Sequence, residues 1–241
     1  MVIKAIFFDL DDTLHDHLFP LSNALKETLP SYYGQVDAVV LYKQFRHFSD
    51  ILWKSYNADE LTLEELRINR IMLALESLQM TITREQAGEF QSRYEHHLAH
   101  LQLFPEVPVL LETLTNDGFI VGVITNGPVE HQYKKLKSLG ITTYFHRDLI
   151  FISDEVGIAK PNPQLFEQVA RKTGFAPNEH LYIGDTWEND IAAPSNAGWQ
   201  SIWFNHRNRV SETNHKPLAV INKLSSVLEV VKKIEETKGR F

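Results

Sequence analysis

The 241-residue chain predicts a doubly wound α/β fold interrupted by an all-helical insertion. Three observations carry that expectation. Short runs rich in Ile, Val and Phe are continuous rather than alternating, as in strands of a parallel sheet covered on both faces. From residue 105 onward, helical stretches alternate with those runs, the signature of a doubly wound domain. Between the first run and the second, residues 19–100 show helical spacing and no convincing strand.

The elements follow in order. Strands are expected at 2–8, 119–124, 149–152, 181–183 and 201–204. Helices are expected at 107–114, 129–139, 163–173 and 189–197. Gly118, Gly140, Gly174 and Gly198 each follow a helical stretch, where a left-handed C-terminal cap favours glycine. Segment 218–233 reads as a closing helix, and the charged tail 232–240 as its solvated end. In the insertion, Leu63, Leu66, Ile71, Leu75 and Leu78 recur at helical spacing. The expected organisation is a core of residues 1–18 and 101–241 with a helical cap at 19–100, and hinges near 15–19 and 101–104.

Composition excludes several classes. The net charge of -7, with no Lys/Arg-rich run, repels nucleic acid polymers at long range. It also repels phosphorylated small molecules, so an anionic substrate would need positive charge concentrated at its site. Zero cysteines exclude a disulfide framework, thiolate metal sites and a cysteine nucleophile. The apolar stretch 5–8 lacks the length of a signal peptide, and no apolar run reaches bilayer-spanning length. A cytoplasmic protein with no membrane partner is expected. Monomer and homodimer are both left open.

The polar residues that end the apolar runs carry the chemistry. Asp9-Leu10-Asp11-Asp12-Thr13 follows the first strand, on the side where parallel sheets bind ligands. A lone aspartate there is usually a turn or cap residue. Three within four positions repel one another at a cost that capping does not require. Thr125-Asn126-Gly127-Pro128 ends the second strand and opens a helix, as either a phosphate cradle or an ordinary turn. Gly157-Ile158-Ala159-Lys160-Pro161 comes next; by itself Lys160 reads as a surface lysine. Gly184-Asp185 ends the fourth strand, and Asp190 returns about one helical turn later. Gly184 permits close backbone approach.

Together these four motifs resemble the haloacid dehalogenase-like hydrolase superfamily, in order and over most of the core. The resemblance implies a Rossmann-like core and, from the insertion after the first motif, a helical cap. It implies that Asp9 is the nucleophile forming an aspartyl-phosphate and Asp11 the general acid and then base. Thr125 would bind the phosphoryl group, with Thr13, Asn126 and Gly127 completing the substrate-binding set. Lys160 would offset charge. Asp9, Asp185, Asp190 and the main-chain carbonyl of Asp11 would form a Mg2+ site. Asp9, Asp185 and Asp190 as anions balance Lys160 and one Mg2+ if Asp11 is protonated. The implied activity is hydrolysis of a small phosphorylated metabolite, with a nucleoside 5′-monophosphate as first candidate.

Phosphomutase and haloacid dehalogenase activities are alternatives within the family. Dehalogenases lack an acidic residue two positions after the nucleophile, and here Asp11 is present. A non-catalytic phospho-ligand binder is the rival from another class, and it would have no need of Asp11. Other features read as structural. His96, His97 and His100 suit a solvated helix face, having no evident third zinc ligand. His15 and His17 suit a loop, or the substrate side of it. Trp187 suits packing or walling of the site. Trp53, Tyr56, Phe45 and Phe48 suit the core of the insertion, and Asp59, Glu60, Glu64 and Glu65 a solvated helix start.

Overall fold

A computed structural model describes residues 2–236. Its centre is β1 (Ala5–Phe8), whose four residues are all buried. Strand β2 (Ile120–Thr125) pairs with it on one side and β4 (His180–Gly184) on the other, both parallel. Beyond these lie β3 (Ile150–Ile152), β5 (Gln200–Phe204) and β6 (Ala219–Ile221), giving the order β3-β2-β1-β4-β5-β6. All pairings are parallel, so the apolar runs must be covered on both faces. Phe7 lies in register with Gly122 and Tyr182, and its ring fills the space where a Cβ on Gly122 would stand, 2.2 Å from its Cε1. One sheet face packs on Leu165, Phe166, Val169 and Ala170 of α8 (Gln164–Thr173) and on Trp199. Helix α5 (Val107–Asn116) lies against β2, and α10 (Ser226–Glu236) lies against α5 and β6.

The order of strands reverses at β1, since β2 and β3 run outward on one side and β4 to β6 on the other. Such a switch point opens a crevice beyond the carboxyl ends of β1 and β4. Asp9 and Asp185 directly follow those two ends.

Two segments differ from expectation. Segment 218–233 begins with β6 and becomes helical only at Ser226. Leu218 and Ile221 stand at helical spacing, but Leu218 is exposed just before the edge strand and Ile221 is buried at its end. Segment 189–197 is a π-helix (Trp187–Ala192) continued by the short α9 (Ala193–Asn196). Residues 237–240 of the charged tail lie outside the described residues.

The chain separates into two compact units, one of Met1–Asp16 with Gln102–Phe241 and one of His17–Leu101. The second contains α1 (Phe19–Thr28), α2 (Ala38–Asn57), α3 (Leu63–Glu76) and α4 (Arg84–Ala99). Reciprocal capping boxes Thr62–Glu65 and Thr83–Gln86 start α3 and α4, and Asp37 caps α2. Its core includes Leu25, Leu41, Phe45, Ile71, Leu75, Phe90 and Tyr94. Phe48 is partly buried against this core, whereas Trp53 is 51% exposed, its ring tilted on Tyr56 rather than in the core. Glu64 and Glu65 do fall in the first turn of α3. His96 and His100 are exposed on α4 and its C-cap, and His97 is within 3.1 Å of Glu27. Among the described residues no helix is long and apolar enough to cross a membrane.

Candidate active site

Asp9 leaves β1 with its backbone N–H donating to Ile183 O of the neighbouring strand, which fixes the start of the acidic turn. Its side chain is 8% exposed. Lys160 Nζ donates to Asp9 Oδ1 at 2.7 Å, to Asp190 Oδ1 at 2.7 Å and to Tyr182 Oη at 2.9 Å. An ammonium has three donors, and all three are used. Lys160 is therefore no surface lysine: its side chain is 3% exposed. Burial opposes its charge, but Asp190 and Asp9 outweigh burial and hold its pKa well above the ordinary value. The Tyr182 hydroxyl donates to Ile124 O at 2.7 Å, tying the lysine to the sheet.

Asp190 comes from the π-helix. Its Oδ2 accepts from Thr186 N at 2.8 Å, closing the turn after β4. This close return needs Gly184: a Cβ there would lie 2.5 Å from Asp190 Cβ and Cγ. The carboxylates of Asp9, Asp185 and Asp190 converge, each offering a ligand oxygen within 4.8 Å of the others. Burial raises the Asp9 carboxyl pKa, with Lys160 opposing and Asp190 adding to the rise. Burial likewise raises that of Asp185, and the charges of Asp190 and Asp9 raise it further. Three buried carboxylates facing one another are stable as anions only beside a cation. An all-oxygen set of this kind suits a hard divalent ion such as Mg2+.

The rest of the acidic turn divides its charges. Asp12 has φ of +64°, a left-handed conformation that aspartate tolerates better than most residues. Its carboxylate takes a bidentate contact from Arg207, whose Nη2 also donates to Asp16 Oδ1 at 2.6 Å. Asp11 turns elsewhere. Lys135 Nζ lies 2.6 Å from both its oxygens, and His15 Nε2 lies 2.9 Å from Oδ1. Burial works against the Asp11 carboxylate, but Lys135 and His15 prevail and hold its pKa far below the ordinary range. In this ligand-free arrangement these contacts favour the carboxylate form of Asp11, with Lys135 as its counter-ion. Thr13 Oγ1 donates to Asp9 Oδ2 at 3.3 Å, so its hydroxyl is directed at that carboxylate.

Thr125 closes β2 and is buried. Asn126 and Gly127 were expected as a phosphate cradle, and here both are engaged within the protein. Asn126 Nδ2 donates to Lys160 O, and Lys160 N donates to Asn126 Oδ1, both at 2.9 Å. Asn126 thereby holds the Lys160 loop. Gly127 N donates to Ser153 Oγ at 2.9 Å. Trp187 is 4% exposed and stacks edge-on against Trp203, as a packing residue.

Sequence reasoning did not single out Lys135, Gln132, Tyr182, Arg207 or Arg209. Gln132 and Lys135 project from α6 (Val129–Ser138), one turn apart, where a spacing of three brings side chains to one face. That spacing was the available signal.

The chain is similar to known proteins. Residues 3–198 match the model of the haloacid dehalogenase-like hydrolase family. The chain is 29% identical over 203 residues to a glyceraldehyde 3-phosphate phosphatase of Methanopyrus kandleri, covering 83% of each chain. It is 27% identical over 236 residues to a pyrimidine 5′-nucleotidase of Streptococcus pneumoniae, covering 97% of each. It shares its fold with the solved structure of a putative hydrolase of that family from Bacillus subtilis, with a TM-score of 0.66 and 23% identity over 96% of this chain and 99% of that one.

Proposed function

The chain belongs to the haloacid dehalogenase-like hydrolase family, and from that premise we propose that it is a phosphatase releasing phosphate from a small phosphorylated metabolite through an aspartyl-phosphate on Asp9. The observation that carries the reading is the position of Asp9. It lies at the end of the central strand, hydrogen-bonded by Lys160 and Thr13, in a cluster with Asp185 and Asp190.

In this reading Asp9, Asp185 and Asp190, with the main-chain carbonyl of Asp11, hold Mg2+. When bound, the ion neutralises phosphate charge and aligns the oxygens for in-line transfer. A carboxylate oxygen of Asp9 attacks phosphorus, and the P–O bond to the leaving alcohol breaks. Asp11 gives its proton to that alcohol and later takes one from the water that cleaves the acyl phosphate. Lys135 and His15 hold the Asp11 pKa low, which favours the base form that suits the second step. The acid form for the first step requires Lys135 to be drawn off Asp11, and the incoming phosphate dianion is the group that competes for its ammonium. Lys160 keeps Asp9 ionised and aimed, and Asn126 keeps Lys160 in place. Thr125, followed in the chain by Asn126 and Gly127, takes the phosphoryl group together with Thr13 of the first turn.

The helical unit is read as a cap that selects the leaving group. A nucleoside 5′-monophosphate is the first candidate substrate, supported by the likeness to a pyrimidine 5′-nucleotidase.

The test is phosphate release from nucleoside 5′-monophosphates, glyceraldehyde 3-phosphate and other sugar phosphates, with Mg2+ and with a chelator, beside Asp9→Asn. Release that requires both Mg2+ and Asp9 is expected. Release that survives Asp9→Asn overturns the nucleophile, and conversion of a sugar phosphate to its isomer without release makes the protein a mutase.

A further inference from the structure

The three clustered carboxylates are not neutralised alike. Asp9 and Asp190 share Lys160, a buried cation enclosed by the sheet. Asp185 has a different counter-ion. Arg209 Nη1 donates to Asp185 Oδ2, to Thr186 Oγ1 at 3.3 Å and to the main-chain oxygen of Asp185 at 3.4 Å. Its Nη2 reaches Asp12 Oδ2 at 3.4 Å. The Arg209 side chain is 34% exposed against 6% for Asp185, so this guanidinium arrives from the solvent side and has room to leave. Its approach is built. Asn205 Oδ1 accepts from Arg209 N at 2.7 Å, and Asn205 Nδ2 donates to Arg209 O at 2.9 Å, fixing the backbone from which the side chain extends.

Resting on the metal reading above, we propose that Arg209 is an internal counter-ion that competes with the divalent cation for Asp185 and so sets the magnesium affinity of the protein. The charges require a competition. With all three carboxylates ionised, as metal ligation requires, the one ammonium they share leaves two negative charges, which a divalent cation cancels. With Arg209 still engaged, the same cation leaves an excess positive charge in a buried site, which is costly. The carboxylate that Arg209 engages belongs to the ligand cluster itself. In the metal-free protein Arg209 stabilises the cluster; on metal loading it lets go of Asp185 and keeps Asp12, whose carboxylate it already approaches.

The test is calorimetric titration of Mg2+ into the wild type, Arg209→Gln and Arg209→Lys, with melting temperatures in chelator and in saturating Mg2+. Arg209→Gln should bind Mg2+ about tenfold more tightly, as expected for removing one nearby positive charge at the intermediate dielectric of such a site. Its Tm should fall in chelator and recover in Mg2+. Arg209→Lys, which keeps the charge, should stay near wild type. Asn205→Ala, which leaves Arg209 in place but frees its backbone, should shift affinity in the same direction by less and decides the matter if Arg209→Gln does not fold. An unchanged Kd with equal Tm losses in both conditions makes Arg209 a loop brace and overturns the proposal. Weaker Mg2+ binding overturns it too, as Arg209 would then be orienting Asp185 for the metal. A wild type that binds no Mg2+ removes this inference together with the metal reading, whereas wild-type binding that Arg209→Gln leaves unchanged removes this inference alone.

Discussion

Lys135 Nζ sits 2.6 Å from both carboxylate oxygens of Asp11, across 124 residues of chain. The pair sets the protonation of the proposed acid–base residue. Removing a nearby cation raises a carboxyl pKa. In the wild type, the acid limb of the pH–rate profile that belongs to Asp11 lies below the ordinary carboxylate range and is hidden by acid unfolding. Lys135→Met should bring that limb up into the measurable range and lower turnover about tenfold at neutral pH, within the usual worth of general acid–base catalysis. A profile from pH 4 to 9 superimposable on wild type would separate Lys135 from the chemistry.

Metal-free protein should lose stability as pH rises, opposite to the usual behaviour of paired carboxylates. Burial and like charges raise Asp9 to about 6 and Asp185 to about 8. In the unfolded chain both titrate near about 4. Between those values the folded state binds protons that the unfolded state does not, so this stability is full below about pH 4 and is lost as pH passes through about 8. Asp11 acts in reverse: its contribution is present above about pH 4 and lost below. In chelator, Tm should therefore peak on the acid side of neutrality and fall toward pH 8. At a hundredfold excess over its Kd, Mg2+ adds about 2.7 kcal/mol and should flatten that slope. A chelated Tm that is constant or rising from pH 5 to 8 refutes the electrostatic reading.

Much of this arrangement could be read along the chain, because parallel strands write their ends plainly. The β1, β2, β4 and β5 runs are apolar and continuous, and the polar residue that ends each one stands at the crevice, so Asp9, Thr125 and Asp185 announce themselves. Strand β6 does not: it has three residues, one face exposed, and apolar neighbours that imitate helical spacing. The acidic half of the site was visible because Asp9, Asp11, Asp12, Asp185 and Asp190 cluster in sequence. Its basic half was visible only at Lys160, through the third motif. Each aspartate of the first turn has its own cation, Lys160 for Asp9, Lys135 for Asp11 and Arg207 for Asp12, drawn from separate places in the chain. A lysine on an amphipathic helix or an arginine in a loop carries no local mark that distinguishes it from a solvated one.

Lys160→Met should destabilise the metal-free protein by about 3–5 kcal/mol at neutral pH, because it leaves Asp9 and Asp190 buried without their cation. Urea unfolding in chelator measures this directly. The loss should shrink toward pH 5, where the Asp9 carboxyl, raised by burial to about 6, can take up a proton instead. A loss under about 1 kcal/mol, the range of surface pairs, would show that water already solvates the cluster.

Gly184→Ala tests the geometry of the carboxylate cluster without replacing any charged group. The added Cβ would meet Asp190 Cβ and Cγ at 2.5 Å and Oδ2 at 2.6 Å. Those atoms belong to a side chain held on both sides, by Lys160 and by Thr186 N, so they cannot simply rotate away. Relief must come from shifting the π-helix that carries Asp190 away from β4. Asp190 then leaves Asp9 and Asp185, and the oxygen cluster opens. Affinity for Mg2+ should fall by about tenfold or more, in the range seen when groups that orient metal ligands are altered, while far-UV circular dichroism stays that of the wild type. Calorimetric titration reads the first and the spectrum the second. Unchanged affinity in a folded variant would mean that Asp190 is not needed to hold the metal, and that its place beside Lys160 is purely structural.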